Sequence, residues 1–294
     1  MREKKSLPYL LLTPTLAILF FFAAFPLIYG IYVSLFKYDL GAPRELMKFI
    51  GLNNYKDLFT DPYFWKSLWI TFLYVVTALI LEFSIGLLLA LAVTRSQDRR
   101  LEAIMAAIRP FLFLPMIVTP VVVGLMWRQL FNFELGLVNY FFSLVGIPPQ
   151  TWLTNKALVL PVIIFTDVWE WTPFMFLIFL SGLSSIPPDP IESAMVDGAG
   201  HLRILFMIKL PLMIPIIQVV LLIRGIDLIK FLDIIYVLTG GGPGNATEVL
   251  SLFAYRKAFL SSQLGYGSAV AVIITLLVTI IGINIVNRMY KEMK

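Results

Sequence analysis

Four ionisable residues, Arg224, Asp227, Lys230 and Asp233, recur at every third position inside an otherwise apolar stretch. Side chains three apart are neighbours on a helix, so the series alternates in sign along one side and cancels in charge. Ionisable groups at membrane depth are costly and are functional candidates by default. Two readings stay open. The four residues can form a salt-bridged spine that holds a bundle together, or they can line a pathway for hydroxylated solutes. Counting about 1.5 Å per residue from Lys209 places Arg224 past mid-membrane and Asp233 near the far surface. That depth suits a gate or entry vestibule. Asp167 and Glu170, with Trp169 and Trp171, open another apolar stretch on the same side. Those tryptophans can stack on sugar rings or simply sit in an interfacial belt. Glu82 lies alone in a third stretch and is expected to face the bundle and pair with a basic residue or polar backbone. Asn284 and Asn287 are expected at packing or interface positions.

Several chemistries are excluded. The chain has no cysteine and a single histidine, His201. It therefore lacks a thiol nucleophile, a thiolate metal site and any His-pair motif. Asp167 and Glu170 are the only close carboxylate pair at depth, and they have no evident base or metal partner. The run Gly240-Gly241-Gly242-Pro243-Gly244 is glycine-rich, but no Lys-Ser/Thr follows it, and no G-x-x-x-x-G-K-[ST] occurs anywhere. The chain is thus not an ATPase, and no catalytic, cofactor or metal residue is expected in it. The glycines read as a tight turn.

The elements that position these residues follow from composition. The 294 residues are 59% apolar and 14% charged, and mean hydropathy is +0.87. This is an all-α polytopic membrane protein. A span needs about 20 apolar residues, and six are expected: Leu10 to Val33, Leu68 to Val93, Phe111 to Leu130, Leu158 to Leu183, Leu210 to Leu238 and Tyr266 to Val286. The first is too long for a signal peptide and reads as an uncleaved span. Arg95 to Arg109 is charged and amphipathic, with Leu101, Ile104, Met105 and Ile108 on one face, as in an interfacial helix. The net charge of +5 fits basic ends flanking spans rather than nucleic acid. Placing both termini in the cytoplasm puts the larger share of Lys and Arg inside.

One polar interruption organises the rest: IPPDPIESAMVDGAGHLRILFMIKLPLMIP, Ile186 to Pro215. Pro187 and Pro188 end the preceding helix. Asp189 reads as an N-cap, Pro190 as the first helical residue and Glu192 as the partner that reaches back to the cap. Gly198 stops the helix about two turns later. Ile191, Ala194 and Met195 share a face. So short a helix, with an apolar face in water, needs a partner.

The spacing inside this loop adds more. Glu192-Ser193-Ala194, three residues, Gly198, nine residues, Ile208, one residue, Leu210-Pro211 resembles the E-A-A signature of binding-protein-dependent ABC permeases. Ser193 stands where that family usually has Ala. FIGLNNY (49–55), DPYFW (61–65), LEFSIGLLLAL (81–91), VWEWTPF (168–174), SGLSSIP (181–187) and FLDIIYVLTGGGPGNAT (231–247) are similar to segments of the carbohydrate-type members, of the larger maltose-permease subunit type.

The resemblance implies a type I ABC importer permease fold, one transmembrane permease domain over 1–294, and a coupling loop over 186–211. By the same resemblance Glu192, Ser193, Ala194, Asp197, Gly198, Ile208, Leu210 and Pro211 couple the chain to ATPase subunits. It further implies a second homologous permease subunit, an extracytoplasmic solute-binding protein, and a sugar or polyol substrate. ATP would be used by the partner subunits, and the chain would sit in the cell (inner) membrane. The alternatives are an autonomous channel or ion-coupled transporter, for which the charged fifth span speaks, and a membrane-embedded enzyme. Neither gives the loop a purpose.

Overall fold

The computed structural model describes residues 7–94 and 111–292. The amphipathic stretch expected over Arg95 to Arg109 lies outside them. Among the described residues, five helices are long and apolar enough to cross a membrane, and a bent helix pair supplies a sixth candidate. The chain divides into two compact units, Met1–Lys66 with Phe253–Leu277, and Ser67–Leu252 with Val278–Lys294.

In the first unit, the opening span covers Leu12–Ser34 and is almost wholly uncovered by its own chain. It carries a π-turn at Phe20–Ala24, where the Phe25 N–H donates to the Phe20 carbonyl. The turn lies just before Pro26. A proline removes a helical donor and crowds the carbonyl four residues back, so a wider turn there relieves the clash. Beyond the span, Phe36–Lys37 pairs antiparallel with Lys48–Phe49, and the helix Asn53–Thr60 follows. The amide nitrogen of Asn54 donates to the carbonyls of Ser34 and Phe36 at 2.8 and 2.9 Å, which pins this loop to the end of the span. Asp61 precedes the second long helix, Pro62–Thr94. It accepts the Tyr63 N–H at 2.9 Å, a cap followed by proline in the first position. The same carboxylate meets the Tyr266 hydroxyl at 3.0 Å and the Lys257 ammonium at 3.4 Å.

The second unit is built around the helix Val159–Ser184. Two-thirds of its membrane window is buried within the chain (67%), against 6% for the first span. A helix apolar all round is one packed on several sides. Its core partners are Ala90 and Val93 from the second span and Met213 and Val220 from the fifth, against its own Met175, Phe176, Phe179 and Leu183. Glycine sets the distance. A Cβ on Gly86 would overlap Met175, and one on Gly182 would press on Ile216 and Met213. Small residues let membrane helices approach where hydrophobicity alone does not drive them together.

Three boundaries differ from the sequence expectation. The third span is not one helix. Phe111–Ile117 and Pro120–Leu130 meet at 107°, because Thr119, ahead of Pro120, is extended (φ −66°, ψ 143°). The fifth runs His201–Lys230 rather than Leu210 to Leu238. It begins earlier because a π-turn over Leu205–Lys209 carries the helix into Pro211, and it ends when Phe231 turns extended. A separate helix, Asp233–Thr239, follows and is closed by left-handed Gly240. That helix packs on Pro120–Leu130, where Gly124 faces Val237. The glycine run is a tight turn, as its composition implies. Gly240, Gly241 and Gly244 all have positive φ. Thr247 closes the turn, its hydroxyl donating to the Gly242 carbonyl at 2.8 Å.

Candidate functional site

Two places hold the predicted residues. The first is the helix Asp189–Val196 between the fourth and fifth spans. Its C-terminal end matches the reading of Gly198. That residue is left-handed (φ +79°), its N–H donates to Met195, and the N–H of Ala199 reaches the Ala194 carbonyl at 2.9 Å. This is the Schellman closure that an L-residue with a side chain would strain. The N-terminal end differs from the expectation. Pro188 is the capping residue and is already helical, and no side-chain cap bond forms. Asp189 and Pro190 are therefore the first two helical residues, and Glu192 is the fourth, not a capping-box partner. Both acids still lie in the first turn, where the helix dipole favours negative charge.

No residue of this helix is buried. Ile191 and Ala194 are half-covered, whereas Glu192, Ser193 and Asp197 face outward. Met195 is 52% exposed and Val196 88%. His201, expected in open loop, is exposed but opens the next helix. Ile208, Leu210 and Pro211 are not loop residues. They sit in the π-turn and first turns of the fifth span, so the signature residues divide between a free helix and the root of a span.

The second place is a charge cluster inside the bundle. Arg224 forks onto Glu82 through Nε and Nη2, both at 2.8 Å. Its Nη2 also donates to Asp167 Oδ2 at 2.6 Å. All three side chains are fully buried. The guanidinium lies 4.6 Å from the centre of the Trp171 ring, a cation–π contact that counts for more when desolvated. One side chain thus ties the second, fourth and fifth spans. Bidentate arginine–carboxylate pairing fixes geometry as well as charge.

This overturns the spine. Arg224 turns away from Asp227 and toward acids on other helices. Among the described residues, Lys230 and Asp227 are the pair that forms within the span, at 3.0 Å and largely in the open. Asp233 belongs to the next helix. Glu82 does face the bundle and pair with a basic residue, as expected. Asp167 and Glu170 do not begin the fourth span but lie well inside it and are buried. Trp169 packs edge-on against Trp127 at 5.4 Å, and Trp171 carries Arg224. Asn284 bonds its own helix, at the Ile280 carbonyl.

Sequence reasoning missed Tyr74, which is fully buried with its hydroxyl unpartnered among the described residues. No pattern marks it, because burial between helices leaves no local signal. Arg224 Nη1, Asp167 Oδ1, Glu170 Oε2, Trp171 Nε1 and Thr172 Oγ1 likewise have no hydrogen-bond partner among the described residues. Among the described residues no group of histidine, cysteine, aspartate or glutamate could hold a metal.

Residues 82–293 match the family described as binding-protein-dependent transport system inner membrane component. The trehalose/maltose transport system permease protein MalF of Thermococcus litoralis is 35% identical over 94% of this chain and 91% of that protein. The sulfoquinovosyl glycerol transport system permease protein SmoG of Agrobacterium fabrum is 34% identical over 92% and 85%. Among solved structures, a chain of a bacterial ABC transporter that imports the acidic polysaccharide alginate superposes with a TM-score of 0.83, covering 98% of this chain and 96% of that one at 23% identity. This chain belongs to the family of binding-protein-dependent transport system inner membrane components, and it has the ABC importer permease fold. It is the membrane-spanning permease component of such a system. Family membership gives no support to an autonomous channel or ion-coupled transporter.

Proposed function

We propose that the chain forms half of the translocation pathway of an ATP-driven sugar importer. A second, homologous permease subunit supplies the other half. A solute-binding protein outside delivers the sugar, and two ATPase subunits dock from the cytoplasm on the loop 186–211. The observation that carries this reading is the helix Asp189–Val196, unburied throughout on a chain of this family. A sugar as solute is supported by relatives named for trehalose, maltose and a sulfosugar glycerol.

ATP binding would close the ATPase pair and drag the helix around Glu192 to Gly198 as a lever. Spans four and five, joined by Arg224, would follow it and reorient the cavity around a midplane site. Pro187, Pro188, Gly198, Gly200, Pro211 and Pro215 are the joints of that motion. Of the predicted pathway residues, Asp167, Glu170, Trp171 and Arg224 each keep a buried polar atom without a hydrogen-bond partner among the described residues. In this reading the chain is not an enzyme, and its partners hold the nucleotide.

Both termini are assigned to the cytoplasm. In the first unit, the loop after span one is bonded to the turn before span six: the Leu40 N–H donates to the Ser262 carbonyl at 2.7 Å. Those segments therefore share a side, which requires an even number of crossings between them. That supports counting the bent pair as one true span and gives six crossings in all. The basic residues then favour the terminal side as cytoplasmic.

The test is mild-detergent isolation of the tagged chain from its native membranes, followed by reconstitution and uptake of labelled trehalose and maltose. Recovery of an ATPase and a second six-span subunit, with ATP-dependent uptake, is the expected result. A chain recovered alone, with uptake independent of ATP, would sink the proposal.

A further inference from the structure

A polar cleft of about 330 Å³ opens in the unit formed by Met1–Lys66 and Phe253–Leu277. That volume falls at the lower end of small-ligand sites, roughly 300–1,000 Å³. Its frame is pinned. The Gly265 N–H donates to the Tyr38 carbonyl at 3.0 Å, and the Leu40 N–H holds Ser262. Asn54, which lines the cleft, is 6% exposed. Both bonds of its amide nitrogen go to backbone carbonyls. This fixes the amide's orientation and leaves Oδ1 as an acceptor, without a partner among the described residues.

The charged groups of the lining are open as well. Asp61, nearby, is matched by Tyr266 and Lys257. The lining residues Lys37, Asp39, Asp57 and Gln263 have no side-chain partner among the described residues. The cleft therefore presents acceptors (Asp39, Asp57, Asn54 Oδ1) beside donors (Lys37, Gln263). A basic protein side chain would meet the Lys37 ammonium. An acidic ligand would meet two carboxylates. A hydroxyl donates and accepts at once, so a neutral polyhydroxylated ligand satisfies both sets.

We propose that this cleft is a carbohydrate subsite outside the membrane, selective for neutral sugars. The proposal rests on the sugar-importer reading and deepens it. The cleft belongs to the loops after spans one and five.

The test uses the assembled importer in lipid nanodiscs, without binding protein, and labelled trehalose as the probe. Wild type should bind trehalose and prefer it to a uronic-acid disaccharide. Asp39→Ala and Asp57→Ala should each weaken trehalose binding by at least about tenfold, as loss of hydrogen bonds to a charged acceptor predicts. Both positions are exposed, so the melting temperature should stay put. Unchanged trehalose affinity in both variants, with wild-type uptake intact, would overturn the subsite and leave the importer standing. Variants that keep trehalose affinity but bind the solute-binding protein more weakly would make the cleft a protein contact instead. A wild-type importer that takes up no sugar would overturn the parent reading and the subsite together.

Discussion

The helix Asp189–Val196 and the Arg224 cluster are built on opposite terms. The helix has no buried residue, and everything that defines it lies within a few positions in sequence. The cluster is fully buried, and its members come from positions 82, 167 and 224. The difference follows from who reads each site. In the proposed reading a partner protein reads a contiguous segment, so the residues that matter are close in sequence. The bundle reads Arg224 from within, and any helix that packs nearby can supply its acids.

The largest break in this comparison comes from Arg224→Met. It leaves Glu82 and Asp167 buried without their cation, and removing one partner of a buried pair costs about 3–5 kcal/mol. Thermal unfolding of the purified protein in detergent should show a large fall in melting temperature. Adding Glu82→Gln and Asp167→Asn should restore much of it, because the uncompensated charges are gone. A single variant as stable as wild type would show that the cluster does not hold the bundle.

Glu192→Lys should act in the reverse sense. Its side chain is exposed, so the melting temperature should barely move, as for surface changes generally. Affinity for the ATPase subunit should fall about tenfold, equivalent to about 1.4 kcal/mol. Co-purification at graded concentrations measures it. Normal association would remove the helix from the coupling surface.

The smallest effect sharpens the distinction within one helix. Lys230 and Asp227 also form an ion pair in the fifth span, but the lysine side chain is 62% exposed. Exposed pairs contribute about 0–1 kcal/mol. Lys230→Ala should shift the melting temperature by a degree or two at most, and less in high salt. A loss as large as that from Arg224→Met would revive the spine.

The two sites were unequally legible. Glu192, Gly198 and Pro211 mark the loop between spans four and five through proline and glycine chemistry and fixed spacing. Only the first turn was misplaced, because Pro188 is already helical. In the fifth span, a three-residue period suggested that Arg224 and Asp227 pair. The period is real, but it lists who can meet along one helix, not who does. Glu82 was legible as a group needing a partner, though not which one. Tyr74 and the polar cleft left no signal, since Lys37, Asn54 and Gln263 are ordinary residues until folding gathers them.

The sequence by itself determined the membrane class, the first, second, fourth and sixth spans, the short helix after the fourth span with its glycine stop, and the turn after Thr239. These depend on apolar run length and on backbone chemistry within a turn or two, so they need no knowledge of distant residues. Only the tertiary structure decided that the third span bends by 107°, that Arg224 chooses Glu82 and Asp167, and that the loops after spans one and five close around a cleft. Those outcomes depend on which helices approach closely. Gly86 and Gly182 set that approach in space, between helices that are separate in the chain.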